Sequence, residues 1–317
     1  MKKIVLIPII VGSALLLVGG VLLAIGLSNN QKADMQSHDV ELNDKTIEGF
    51  DFDLDVSDVT FYATTESSKK VSISEYEKQP HTVEVVDNVL TIKNQDNRKW
   101  HEKIFNWGIE KVKVDVYLPA GEYASFVMKN STGDITIPKE FSFTTINVTL
   151  STGDIDIHSN VSDELFLKTS TGDISYSGTT AKGATFETST GSISINDFEA
   201  TDDVTVTTGT GRQTLKNVKC QNLTNHASTG KVVLENVIVQ KHIEVITSTG
   251  DVKLIDSDAE TLFIKTSTGD VTGTLLSNKN FVVKSGSGDE KVPESDSNCG
   301  RCEIKTSTGD IKITIKK

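Results

Sequence analysis

From about residue 126 onward the chain alternates apolar and polar positions in short bursts, and the bursts repeat. Aligned on a recurring glycine, apolar residues fall seven and five positions before it and two and four after it. Leu165, Leu167, Ile174 and Tyr176 surround Gly172 in this way, and Ile243, Val245, Val252 and Leu254 surround Gly250. Period-two alternation predicts strands with one buried and one solvated face, so each repeat supplies two short strands broken at the glycine. The threonine three places before it, such as Thr169, Thr247 or Thr266, shares the inward parity or lines the bend. Stacked threonine hydroxyls can find partners in one another or in backbone carbonyls.

The repeated phrase is Ser-Thr-Gly, mostly followed by Asp and a β-branched residue. It begins at Ser131, Ser151, Ser170, Ser189, Ser228, Ser248, Ser267 and Ser307, with degraded copies at Gly209-Thr210-Gly211 and Gly286-Ser287-Gly288. The central glycines are Gly133, Gly153, Gly172, Gly191, Gly211, Gly230, Gly250, Gly269, Gly288 and Gly309, spaced by 19 to 21 residues. A fixed step of this size marks stacked units that share one core. The glycine turns the chain through a positive φ at a coil corner, and the following Asp or Ser caps nearby amides. The pattern predicts an all-β protein, a parallel β-helix-like solenoid of about ten coils. At ~4.8 Å per coil, the rod is about 45 Å long. A β-sandwich is the rival architecture, and the uniform step favours the solenoid.

Residues 45–125 lack the phrase but read as strands, for example Phe50-Asp51-Phe52-Asp53-Leu54 and Val112-Lys113-Val114-Asp115-Val116. They are expected to form a β-rich cap over the first coil of the repeat domain, 126–317, because an open parallel edge invites aggregation. Within them Trp100 to Gly108 holds both tryptophans and reads as a capping plug, with a contact surface as the alternative. At the far end, Ile311 to Lys317 reads as a strand that closes the stack, its lysines discouraging edge pairing.

Before all of this, Ile4 to Leu27 is an almost unbroken apolar run, long enough to span a bilayer. Lys2 and Lys3 precede it, which puts the N-terminus in the cytoplasm and the bulk of the chain outside. Residues 1–28 are thus read as a start and transmembrane signal anchor, and 29–44 as a linker. A cleaved signal peptide is the competing reading. No cysteine lies near the end of the run, which removes the acceptor for a lipoprotein anchor.

A net charge of −12 argues against nucleic acid as a partner and leaves room for a cationic one. Cys299-Gly300-Arg301-Cys302 is read as an inert or structural pair, with a local bridge or redox exchange as alternatives. Cys220 and Cys299 lie four coils apart in chain order, too far for a disulfide. None of the six histidines forms a zinc-binding pair, and no serine has an identifiable base near it in sequence. The aspartates after the glycines, from Asp134 to Asp310, read as turn caps. Calcium is the second reading, with Asp251 and Asp270 as candidates, although Ser192, Arg212 and Lys231 interrupt the row. An ice-binding Thr-x-Thr face fails because parity turns at least one threonine inward.

The Ser-Thr-Gly-Asp phrases and the lead-in Val114-Asp115-Val116-Tyr117-Leu118-Pro119 resemble the bacterial putative-adhesin β-strand-repeat family, a domain of unknown function, over residues 45 to 317. That group includes membrane-anchored proteins of the Lia cell-envelope stress system in Gram-positive bacteria. The resemblance implies a role at the cell surface or in stress sensing, and it brings no catalytic residues. Two function classes stand. One is a surface binding or scaffold module for cell-wall polymer, an envelope protein or a cationic peptide. The other is a carbohydrate-active β-helix enzyme, which should break its repeat to assemble unlike residues; the only clear breaks are Arg212-Gln213 and 293–302.

Overall fold

A computed structural model describes residues 35–65, 68–77, 79–95, 111–179 and 182–317. The apolar run from Ile4 to Leu27 and the tryptophan patch 100–108 lie outside them. All 26 described elements are strands, joined in one sheet, and successive coils pair in parallel and in register. Leu165, Phe166 and Leu167 lie beside Ala184, Thr185 and Phe186, and those beside Val204, Thr205 and Val206. The chain is a β-solenoid of about ten turns.

Each coil has three inward-facing stretches. In the Gly191 coil, Ala184, Phe186 and Thr188 precede the glycine, Ile193 and Ile195 follow it, and Phe198 and Ala200 close the third side; all seven are buried. The third side begins at a second corner, where Asp197, Asn217, Asn236 and Asp256 take φ values of 49–54°. Asn and Asp tolerate this left-handed conformation better than other side-chain-bearing residues. Their side chains also stack: Asn217 Nδ2 donates to Asp197 Oδ1 at 2.6 Å and Asn236 Nδ2 to Asn217 Oδ1 at 2.9 Å. One apolar core runs the length of the stack. It is aromatic towards the N-terminal end, where Phe50, Phe61 and Phe126 meet with ring centroids 5.4–6.0 Å apart.

The two ends are not built in chain order. Gly49–Thr64 is a complete coil, with parallel partners on both sides: Val89–Asn94 and Val112–Pro119 on one, Gly121–Thr132 and Ile135–Ile137 on the other. Antiparallel strands then cover the outer edge, His81–Val86 on Val89–Asn94 and Lys70–Tyr76 on Val112–Pro119. Met35–Glu41, within the stretch read as a linker, pairs antiparallel with Lys70–Tyr76.

At the far end the expectation for the last strand is corrected. Arg301–Thr308 and Ile311–Ile315 do not close the stack. They lie between Thr261–Thr268 and Val271–Leu275 on one side and Asn280–Ser285 and Glu290–Lys291 on the other. The last coil thus slots beneath the one before it in sequence. The burial pattern gives the reason. Cys302, Ile304, Thr306, Ile311 and Ile313 are all buried, whereas Asn280–Ser285 buries only Phe281, and Glu290 and Lys291 are exposed. The coil with the fuller inward set takes the inner place, and the poorer, more polar one meets solvent. As a consequence, the coils that Cys220 and Cys299 lead into are three steps apart, not four.

This arrangement predicts an inverted protection order in native-state hydrogen exchange. Amides of Ile311–Ile315, next to the end of the chain, should exchange more slowly than those of Asn280–Ser285, which precede them; the opposite order would refute the interleaved end.

Candidate functional site

The corner is where coils touch most closely. Gly172 has φ +144°, and a Cβ built on it would sit 2.0 Å from the Gly153 carbonyl oxygen. Gly153, Gly191, Gly211, Gly230, Gly250 and Gly269 make the same approach to the glycine of the preceding coil. Gly133 makes it to the Ser57 carbonyl, Gly309 to Gly269 and Gly288 to Gly309. The column therefore runs through all ten predicted glycines and ends on Ser57. Positive φ was legible in the sequence; the backbone contact, which excludes any side chain independently of φ, was not.

Two kinds of side chain brace the corners, except where Ala227 stands for the threonine or Ser192, Arg212 and Lys231 for the aspartate. The inward threonine donates to a glycine carbonyl of the neighbouring coil, Thr169 to Gly153 at 3.1 Å, Thr188 to Gly172 at 3.0 Å and Thr306 to Gly269 at 3.1 Å. Of the two partners open to it, the hydroxyl takes the carbonyl. The aspartate after the glycine accepts the equivalent amide of the next coil. Asp134 N donates to Asp58 Oδ1, Asp154 N to Asp134 Oδ1, Asp173 N to Asp154 Oδ1 and Ser192 N to Asp173 Oδ1, at 2.6–2.9 Å. The calcium candidates are occupied in the same way: Asp251 Oδ1 accepts the Asp270 amide at 3.2 Å, and Asp270 Oδ1 accepts the Asp310 amide at 2.8 Å. Asp251 Oδ2 also lies 3.7 Å from Lys231 Nζ. Among the described residues no group of three or more acidic, histidine or cysteine side chains is placed to hold a metal ion.

At the N-terminal end of the column Lys111 bridges Asp58 and Asp134 at 3.0 and 3.1 Å. Burial opposes ionisation of Asp134, but the Asp154 amide and the Lys111 ammonium outweigh it and hold the carboxyl below its usual value.

The break at Arg212-Gln213 is a repair of the core. Gln213 stands at an inward position, fully buried. Its Nε2 donates to Thr208 Oγ1 at 3.1 Å and to the His226 carbonyl at 2.7 Å, while Asn225 Nδ2 donates to its Oε1 at 2.9 Å. These bonds engage both ends of the Gln213 amide and allow it to occupy an apolar stack, while the buried Asn225 Oδ1 has no hydrogen-bond partner. The second break, 293–302, carries the chain from the outer coil back to the inner one. Burial pushes the Cys220 and Cys302 thiols up to about 12, and Cys299 is also raised, first by burial and then by Asp296. All three cysteines are free, and raised thiols are poor redox nucleophiles.

No serine has a base beside it in sequence, yet folding brings one close. Ser57 Oγ lies 3.4 Å from His81 Nε2, and His81 Nδ1 lies 2.7 Å from Glu75 Oε2. The order of hydroxyl, imidazole and carboxylate is that of a nucleophilic triad. Ser57, however, has no exposed surface, and its carbonyl is engaged by Asn130 Nδ2 at 2.7 Å beneath Gly133. The group ties three strands of the cap together. Glu75 and His81 are six residues apart and Ser57 lies 24 before His81; the three follow no motif, so only the fold reveals them.

The Toastrack DUF4097 family profile matches residues 47–209, 200–272 and 241–317. No curated protein matches the chain. Among solved structures, a putative adhesin from Bacteroides fragilis NCTC 9343 is 14% identical, with a TM-score of 0.35, covering 88% of this chain and 97% of that one. A putative lipid binding protein from Parabacteroides distasonis ATCC 8503 is 12% identical, with a TM-score of 0.42, covering 89% and 98%.

The corner geometry sets two expectations. Gly172→Ala should cost about 3 kcal/mol, since strain and overlap with a backbone oxygen act together, while Asp173→Ala, which loses one capping bond, should cost about 1 kcal/mol; urea midpoints of the two variants would show the difference. Because the Asp134 carboxyl is depressed in the folded state, its contribution is present above the unfolded value of about 4 and lost as pH falls through the folded one. Asp134→Asn should therefore flatten the loss of stability on acidification below about pH 4, read from urea midpoints between neutral and acid pH.

Proposed function

Because the chain belongs to the Toastrack DUF4097 family, we propose that it is a cell-surface binding or scaffold module, tethered by the run from Ile4 to Leu27 with the solenoid outside the membrane and serving adhesion or the envelope stress response. The observation that carries this reading is the corner column. Glycine stacking, threonine bonds and aspartate caps hold successive coils in one register, so outward side chains form straight rows at a constant spacing. A rigid array of this kind suits a polymer or an extended partner, which is itself repetitive.

The closed Ser57–His81–Glu75 group and the raised thiols support binding over catalysis as the working activity. The acidic balance of the chain favours a cationic or neutral ligand over an anionic one. Cell-wall polymer, an envelope protein and a cationic antimicrobial peptide are the partner classes that fit.

The test is co-sedimentation of the full chain, in detergent, with isolated cell-wall sacculi and with membranes, each with and without a cationic peptide. Saturable sedimentation that the peptide competes away is expected. If the chain stays in the supernatant with every fraction, the surface-binding reading is wrong.

A further inference from the structure

The two ends of the solenoid treat their outermost strands differently. At the C-terminal end Asn280–Ser285 is paired on one side only, with Arg301–Thr308. Asn280 N and Gly286 N donate inward, to the Gly300 and Thr306 carbonyls, so alternation turns the amides of Phe281, Val283 and Ser285 outward. Side chains take two of them. Phe281 N donates to Ser295 Oγ at 2.8 Å and Ser285 N to Glu290 Oε1, which leaves Val283 alone between capped neighbours. An added strand needs consecutive free positions, and this edge is sealed against it.

At the N-terminal end His81–Val86 has Val89–Asn94 on one side and, among the described residues, no strand on the other. The hairpin turns on Asp87 and Asn88, both at positive φ, and Gln95 N donates to the Pro80 carbonyl. These two anchors fix the alternation. Thr82, Glu84 and Val86 bond within the hairpin, while the amides and carbonyls of His81, Val83 and Val85 face away from it. Glu75 Oε2 accepts the His81 amide at 2.7 Å. Among the described residues nothing caps the amides of Val83 and Val85, which are consecutive along the edge. Their side chains lie half-buried against the end of the core, and Val86 beside them is 54% exposed.

We propose that the His81–Val86 edge pairs with the same edge of a second copy, antiparallel about a two-fold axis. The proposal rests on the tethered surface reading. Seven residues, 28–34, separate the apolar run from Met35–Glu41, at most about 25 Å of extended chain, and Met35–Glu41 belongs to the same end of the rod. Two copies in one membrane therefore carry their open edges at one height and at a raised effective concentration. The edge also fits itself. With Val83 opposite the partner's Val83, these two residues exchange a pair of hydrogen bonds, and each Val85 amide donates to the partner's His81 carbonyl. The His81 amide stays with Glu75. On the outer face Thr82 then stands opposite the partner's Glu84, whereas setting Val83 opposite the partner's Val85 would place Glu84 against Glu84. The half-buried valines of the two copies meet across the joint and continue the apolar core from one rod into the other.

Disulfide trapping of the full chain in phosphatidylcholine vesicles tests the joint. The double variant Thr82→Cys with Glu84→Cys should give an oxidised dimer on non-reducing gels, at least fivefold above the parent with its native cysteines and above Thr82→Cys alone. Adding Val85→Pro, which removes an outward amide and no hairpin bond, should cut that yield at least fivefold. Charge gives a second route that does not depend on the proline. In sedimentation equilibrium of the full chain in detergent, Thr82→Lys should lower the dimer dissociation constant about threefold and Thr82→Glu should raise it as much, because each alters two cross-strand pairs. A dimer yield at the parent's level, a yield unmoved by Val85→Pro, or both charge changes acting in one direction would overturn the joint. A monomeric chain whose tryptophan emission shifts with Val85→Pro would also overturn it, and would give the edge to 96–110, which holds both tryptophans. Carbonate washing of the vesicles reports the tether separately. A chain that is retained but not trapped as a dimer sinks the joint and leaves the tether. A chain that washes out, yet dimerises in detergent with the opposed charge responses, sinks the tether and keeps the joint.

Discussion

The structure depends on the contact of one backbone with the next at the glycine corner. With a Cβ-to-oxygen distance near 2 Å for any added side chain, each corner must be glycine, or serine only at the first place in the column. Once those carbonyls are close, their lone pairs need donors, and the inward threonines provide them. The adjacent amides need acceptors, and the aspartates provide those. The inward threonine three places before the glycine, the glycine itself and the aspartate after it are the residues that answer one backbone corner, which accounts for their recurrence at fixed offsets. A single constraint thus explains the fixed spacing, the polar row inside the core and the acidic row outside it.

This is also why so much of the repeat was legible in the sequence. Residues that answer a backbone constraint recur at fixed offsets, and period-two alternation places Leu165, Leu167, Ile174 and Tyr176 inside without ambiguity. The third side of each coil leaves a fainter trace. It is short, and its inward residues change from Phe198 and Ala200 to Val218 and Cys220 to Ser257 and Ala259. A weak signal was present in the Asp or Asn six places after Gly191, Gly211, Gly230 and Gly250, since such residues best tolerate the left-handed turn found there. The Ser57–His81–Glu75 group followed no motif: Glu75 and His81 flank a short connection, and only the folded cap brings Ser57 to them. The interleaved ends were equally hidden: pairing order is decided by which coil carries the fuller inward set, a comparison between segments and not a property of either.

The two kinds of irregularity in the rod have different physical meanings. Gln213 with Asn225 changes the interior and is bonded there side chain to side chain, and the strands on either side stay in register. Outward residues such as Glu187, Thr207, His226 and Ile246 lie in register from coil to coil and alter relief and charge on the outer face, while the glycine corner contacts stay the same. A solenoid separates these two tasks cleanly, with alternate residues assigned to the core and to the surface.

The interleaving at the C-terminal end bears on the order in which the protein can be made. A simple solenoid can add coils one by one as the chain emerges, each new coil docking on the last. Here the coil containing Gly288 finds no neighbour until Arg301–Thr308 and Ile311–Ile315 have passed beneath it, so the final turns of the rod close only after those strands have been synthesised. The same geometry restricts how the rod can change length over evolutionary time: a duplicated coil is accommodated between interior glycines such as Gly172 and Gly250, whereas one appended after residue 317 would start from a strand already flanked on both sides.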